Sequence, residues 1–276
     1  MLRQKVPVEK PRLFIPIIDR LRPTFIRSYY VGFVVDAENK MVTVDHSHNH
    51  FCITTPEGNP VELMLGTLKV TSIFSRTKGK RDRNDPGDNS PMLYVIKGLH
   101  ELRTTPRDIA MLCASFRQIL PAYLVNGFQW DWLVPLPSSS PVCCRFADKV
   151  FKHTKQGTCH AHALVKITAG QVLQDVSRLR ISSRDRNRLR IEVKRFISAN
   201  GEDAPFQIKS VNVGLRHHVN PMIWGHIPPG TNPPRAILLI DDMVTSGASL
   251  VNAEAILKHR YPHARIEALT LFGSSK

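Results

Sequence analysis

The stretch ILLIDDMVTSGASL, Ile237 to Leu250, decides the fold. It runs four apolar residues into two adjacent carboxylates, Asp241 and Asp242, and within three residues becomes a small, hydroxyl-rich turn around Gly247. An apolar run without alternation reads as a strand buried on both faces, the habit of a parallel sheet. In such a sheet ligands collect at the carboxyl ends of the strands, where the loop opening the next helix offers unpaired N–H groups and a positive dipole end. Thr245 to Ser249 falls at that place. Gly247 allows backbone to approach an anion closely, Ala248 avoids bulk, and Thr245, Ser246 and Ser249 supply hydroxyls, which is the chemistry of a phosphate cradle. A helix cap needs one carboxylate, not two. Beside the cradle, Asp241 and Asp242 can accept hydrogen bonds from vicinal sugar hydroxyls, directly or through Mg²⁺ and its waters. Cradle and diol grip together describe a sugar 5-phosphate site.

Outward from this motif, strand-like and helix-like runs alternate. The pattern predicts strands at MLYVIKG, DWLVPLP, AILLIDD and RIEALTLFG, with helices over Pro106 to about Val125, about Val142 to Lys152 and about Ala248 to Arg260. Helices between buried strands imply right-handed crossovers and an α/β fold, a parallel sheet with flanking helices. Residues 1–90 differ: short β-rich runs from Tyr29 to about Ser75, separated by AENK and PEGNP, resemble a small antiparallel meander. The polar stretch from Ser75 to Pro91 is the candidate linker to a second unit, residues 91–276.

Composition bounds the partners. The chain has 276 residues, 42% of them apolar, and a formal net charge of +15, which favours phosphorylated ligands, nucleic acid or an anionic membrane surface. The five cysteines, odd in number and without a C-x-x-C pair, predict reduced thiols in a cytoplasmic protein and no zinc ribbon. No run reaches the roughly 18 uninterrupted apolar residues of a membrane span, and the basic start is broken by Pro11 and Pro16, so neither export nor insertion is expected.

The Ile237 to Leu250 motif resembles the phosphoribosyl-pyrophosphate (PRPP) signature of type I phosphoribosyltransferases. YVIKGLHE (Tyr94 to Glu101), DWLVPLPSS (Asp131 to Ser139) and KITAGQ (Lys166 to Gln171) are similar to stretches of the competence-associated amidophosphoribosyltransferase-like branch, in the same order, and an Arg186–Asn187 pair follows. Three features depart from that branch: its zinc ribbon has no cysteines here, the piece after VPLP is shortened to CCRFADK, and about five residues are inserted between Gln171 and Arg186. The resemblance implies a Mg²⁺-dependent transferase in which a nucleophile displaces pyrophosphate at ribose C1. Thr245, Ser246, Gly247, Ala248 and Ser249 would hold the 5-phosphate, Asp241 and Asp242 the ribose hydroxyls and the metal, Ser138, Ser139 and Ser140 the pyrophosphate, with charge compensation from Arg145 and Lys97. It equally admits a nucleic-acid-associated PRPP sensor or an effector of a reverse-transcriptase-based defence system. A homodimer or larger assembly is compatible with either.

Three further features carry open readings. From Ser177 to Arg195, arginines at even positions (178, 180, 184, 186, 188, 190) alternate with apolar residues, which on a strand would make one cationic face. That segment reads as a cover for pyrophosphate, as a surface for RNA or DNA, or as a solvated edge. His46, His48 and His50 would share a face if extended, a metal-ligand pattern that also occurs in plain exposed turns. Trp224, in a proline-rich stretch before the motif strand, either packs or stacks on a base.

Overall fold

Residues 32–45, 51–77 and 90–274 are described by the structure, a computed structural model. The chain opens with β1 (Gly32–Asp36), β2 (Met41–Asp45), β3 (Cys52–Ile53), β4 (Val61–Leu65) and β5 (Leu68–Arg76), followed by α1 (Pro91–Lys97) and α2 (Pro106–Val125). Then come β6 (Trp132–Pro135), α3 (Val142–Thr154), β7 (Thr158–Cys159), β8 (Leu164–Lys166), α4 (Ala169–Arg178) and α5 (Ser183–Asn200). Two 3₁₀ turns lead to β9 (Met222–Trp224), β10 (Ala236–Met243), α6 (Ala248–Arg260) and β11 (Arg265–Phe272).

A mostly parallel central sheet flanked by helices organises the molecule, in the order β3-β5-β11-β10-β6-β7, with β4 also on β5. β5, β11, β10, β6 and β7 are parallel, whereas β3 and β4 run antiparallel to β5. The chain leaves β6 through α3 toward β7 and leaves β10 through α6 toward β11, in opposite directions. The ends of β6 and β10 therefore flank a crevice at a topological switch point, where open α/β sheets bind ligands.

Alternation along β10 builds two cores. Leu238 and Ile240 face the side filled by Phe116 and Ile119 of α2 and Phe146 and Val150 of α3. Ile237 and Leu239 face the side filled by Leu250, Ala253 and Leu257 of α6. A third core, with Val172 and Val176 of α4 and Leu189, Val193 and Phe196 of α5, closes a helical cap between β8 and β9. Because β8 and β9 pair antiparallel, the chain enters and leaves this cap side by side. By length and composition α2 is apolar enough to cross a membrane, at mean hydropathy 1.2. In this structure it packs on the sheet, with Leu112, Phe116, Ile119, Leu120 and Tyr123 buried.

Three sequence expectations change. MLYVIKG is not a strand: Pro91 at the first turn and left-handed Gly98 at the end make it α1, and a five-residue apolar run, Met92 to Ile96, has no period that distinguishes the two. Its expected place in the parallel sheet belongs to β5, which pairs with β11, so the sheet includes strands from both sides of the 75–91 stretch. The segment from Ser177 to Arg195 is also not a strand. Ser182 accepts the Asp185 N–H to start α5, and Leu189, Val193 and Phe196, spaced three or four apart, form its buried stripe. The His46–His50 turn and residues 78–89 of the expected linker lie outside the described residues.

Candidate functional site

A cleft of about 380 Å³ opens over the carboxyl ends of β6 and β10. It brings together Asp241, Asp242, Thr245 to Ser249, Ser138 to Ser140 and Lys97. Arg145 is exposed on α3 and does not line it. No residue of α5 lines it either, which leaves the pyrophosphate-cover reading of that segment without a contact. The helical cap adds Phe206, Gln207, Ile208, Lys209 and Arg216, and β8 adds Lys166. Lys166 lay in a quoted motif without a role, and nothing local in the sequence marked Lys209 or Arg216. Trp224 is outside the cleft: its ring packs edge-on to Tyr261 at 5.8 Å with the Arg260 guanidinium above it, so packing accounts for it.

The carboxylates meet three partners. Lys97 Nζ lies 2.5 Å from Asp242 Oδ2. The Asp242 N–H donates to Asp241 Oδ1 at 2.8 Å, and the Cys143 thiol donates to the same oxygen at 3.6 Å. Burial, then the Asp242 charge, pushes Asp241 up to about 7 against the pull of that N–H and Lys97. Burial and the two aspartates push the Cys143 thiol up as well, so it stays neutral. Lys166, held below the ordinary lysine value mainly by burial, shares the site's field with Lys97, Lys209 and Asp241.

Among the longer helices, N-terminal caps distinguish the cleft; the short α1 also starts uncapped, at Ser90 outside it. α2, α4 and α5 are closed by the side chains of Thr105, Thr168 and Ser182, each accepting a first-turn N–H. α3 and α6 begin in the cleft, at Pro141 and Gly247, and neither has a side-chain cap. The Ala248 N–H reaches Ser246 Oγ at 3.4 Å, and an uncapped helix start of this kind suits an anion. Ser140 Oγ, just before α3, is buried without a hydrogen-bond partner.

Gly247 serves differently from the sequence expectation. Its φ is +75°, and a Cβ there would come within 2.4 Å of Leu65 Cδ1, so the space a side chain would take is filled by β4 and is not open to the cleft. The glycine permits the left-handed start of α6 while the turn packs against Leu65.

The donor set fits a hard cation. Asp241, Asp242 and Cys143 offer ligand atoms within 4.8 Å of one another. Two carboxylates suit Mg²⁺, which takes oxygen ligands and keeps several waters, whereas a neutral thiol is no ligand for it.

The raised Asp241 has a consequence for stability. Unfolded, it ionises in the ordinary carboxylate range; folded and ligand-free, it keeps its proton up to about 7. That contribution to stability is full at low pH and is lost as pH rises through about 7. Because the unfolded carboxylate ionises near 3.8, the loss begins near pH 4, so Asp241→Asn, a neutral isostere, should melt close to wild type at pH 4 and at least about 5 °C above it at pH 8. Calorimetric melting across that range checks this, and a constant difference would contradict it.

Scanned against protein-family models and against curated proteins, the chain finds no match in either.

Proposed function

We propose that this cleft is a Mg²⁺-dependent PRPP site of the type I phosphoribosyltransferase kind, and that the protein transfers the ribose 5-phosphate group to an acceptor nucleophile. The observation that carries the reading is a pair of uncapped helix starts, α3 and α6, on either side of Asp241 and Asp242. PRPP has the matching layout: a phosphate at one end, a pyrophosphate at the other and a diol between them. The α6 turn, Thr245 to Ser249, suits the 5-phosphate, and Ser138 to Ser140 before α3 suit the pyrophosphate. Further support comes from the partnerless Ser140 hydroxyl and from the lining charges, in which Lys97, Lys166, Lys209 and Arg216 face two acids.

In the proposed reaction the acceptor's lone pair forms a bond to C1 while the C1–oxygen bond breaks, and its electron pair leaves with pyrophosphate. Positive charge develops on the ribose, so the residues act by orienting both ends and stabilising separated charge, without a covalent intermediate. Asp241 and Asp242 would hold the ribose hydroxyls and the water shell of Mg²⁺. When bound, the ion supplies charge neutralisation on the leaving pyrophosphate. Lys97, paired with Asp242, would hold that carboxylate in place. The apolar cap side, Phe206 and Ile208, is the wall under which an acceptor would enter.

Calorimetric titration tests this. PRPP should bind saturably with Mg²⁺ and at least tenfold more weakly with EDTA, and ribose 5-phosphate should bind more weakly than PRPP. Absence of binding at millimolar PRPP with Mg²⁺ would overturn the reading.

A further inference from the structure

The outer face of α5 has no role in the cleft and is unusual in its charge. Arg184, Arg188, Arg190, Lys194 and Arg195 are all exposed, and none makes a hydrogen bond or ion pair with the described residues. At 100° per residue these five share one broad face around Ile191, which is 51% exposed. The acids of the helix have partners elsewhere: Asp185 accepts the Ser182 hydroxyl, and Glu192, at the margin of the face beside Arg188 and Arg195, accepts the Asn212 N–H. Arg186 is likewise committed, to the carbonyls of Leu179 and Ile181.

This arrangement is costly in the free protein. Arg184–Arg188 and Arg190–Lys194 are like-charge pairs at i,i+4, unfavourable for the helix and only partly offset by Arg188–Glu192. Arg184 also lies in the first turn, at the positive end of the helix dipole. A polyanion laid along the face would remove both penalties.

We infer that the outer face of α5 binds the phosphate backbone of duplex DNA. Charge complementarity selects the polyanion, since duplex DNA carries one negative charge per about 1.7 Å of axis. The face presents no aromatic ring, because Phe196 is buried, so it lacks the stacking platform that holds single strands. An α-helix, about 10–12 Å across, matches the B-form major groove, about 12 Å wide, and not the deep, narrow groove of A-form RNA.

Fluorescence anisotropy with a labelled 20-base-pair DNA duplex, at 50 to 200 mM salt, tests the inference. Neutralising five phosphates gives a log–log slope of roughly −4 to −5, a loss of roughly 500-fold across that range. Replacing Arg184, Arg188, Arg190 and Arg195 together by Gln should flatten the slope to about −1, whereas the same four changed to Lys should keep it. Circular dichroism and melting should show the Gln variant folded, since the changes relieve repulsion. Asp242→Asn should bind DNA as wild type does, so failure of the PRPP reading and failure of this one are separable. An unchanged slope in the Gln variant overturns the inference. So does equal affinity, through the same four residues, for the single strand, an RNA duplex or vesicles of anionic lipid.

Discussion

Changing Asp241 and Asp242 together to Asn is expected to reduce Mg²⁺-PRPP affinity at least about 100-fold, a loss of roughly 2.7 kcal/mol. The two carboxylates end β10 side by side at the crevice between β6 and β10, and among the described residues they are the only acids lining it. Each charge-assisted hydrogen bond to a sugar hydroxyl or metal-bound water contributes about 1.5–3 kcal/mol, and the amide can replace neither the charge nor the metal contact. Removal of Asp242 also leaves Lys97 without its partner at 2.5 Å, so melting of the variant must be recorded with the titration. Undiminished PRPP affinity in a folded double variant would reject the site.

The second large effect is expected at Gly247. A valine there is forced toward a φ of +75°, a region that costs an L residue about 1–2 kcal/mol and a β-branched one more, and its Cβ meets Leu65. Leu65 can swing aside, but the strain in φ is relieved only by a shift of the turn, which moves the first N–H groups of α6 away from the cleft. PRPP affinity should fall at least tenfold, with retained circular dichroism and a lowered melting temperature. Gly247→Val combined with Leu65→Ala removes the clash but not the backbone strain, so it should recover stability more than affinity. Normal binding by Gly247→Val would show that the anion cradle lies elsewhere.

Local order determined some of this in advance. A strand, two carboxylates and a glycine-containing hydroxyl turn lie within fourteen consecutive residues, Ile237 to Leu250, and near neighbours in sequence stay near in space. The buried run of β10 and the spacing into α6 therefore made the site's centre legible. Where local signals were ambiguous, tertiary packing decided. MLYVIKG satisfies strand and helix alike until Pro91 and Gly98 close it as α1, and that helix is what carries Lys97 to Asp242. The arginine alternation from Arg178 to Arg190 suggested a strand. The Ser182 cap and the burial of Leu189, Val193 and Phe196 in the cap's own core favoured a helix, which turned the charged residues outward from the cleft.

The amino-acid sequence alone determined the α/β class, the positive charge and the pairing of carboxylates with a phosphate-type turn, because each depends on residue type and short-range period. Only the tertiary structure decided that Lys97, Ser140, Lys166 and Lys209 share one cleft with Asp241, that Leu65 fills the space against Gly247, and that α3 and α6 alone among the longer helices start uncapped there. Those contacts join residues far apart in the chain. The order of strands in the sheet and the path of each crossover set them, and no local propensity encodes that choice.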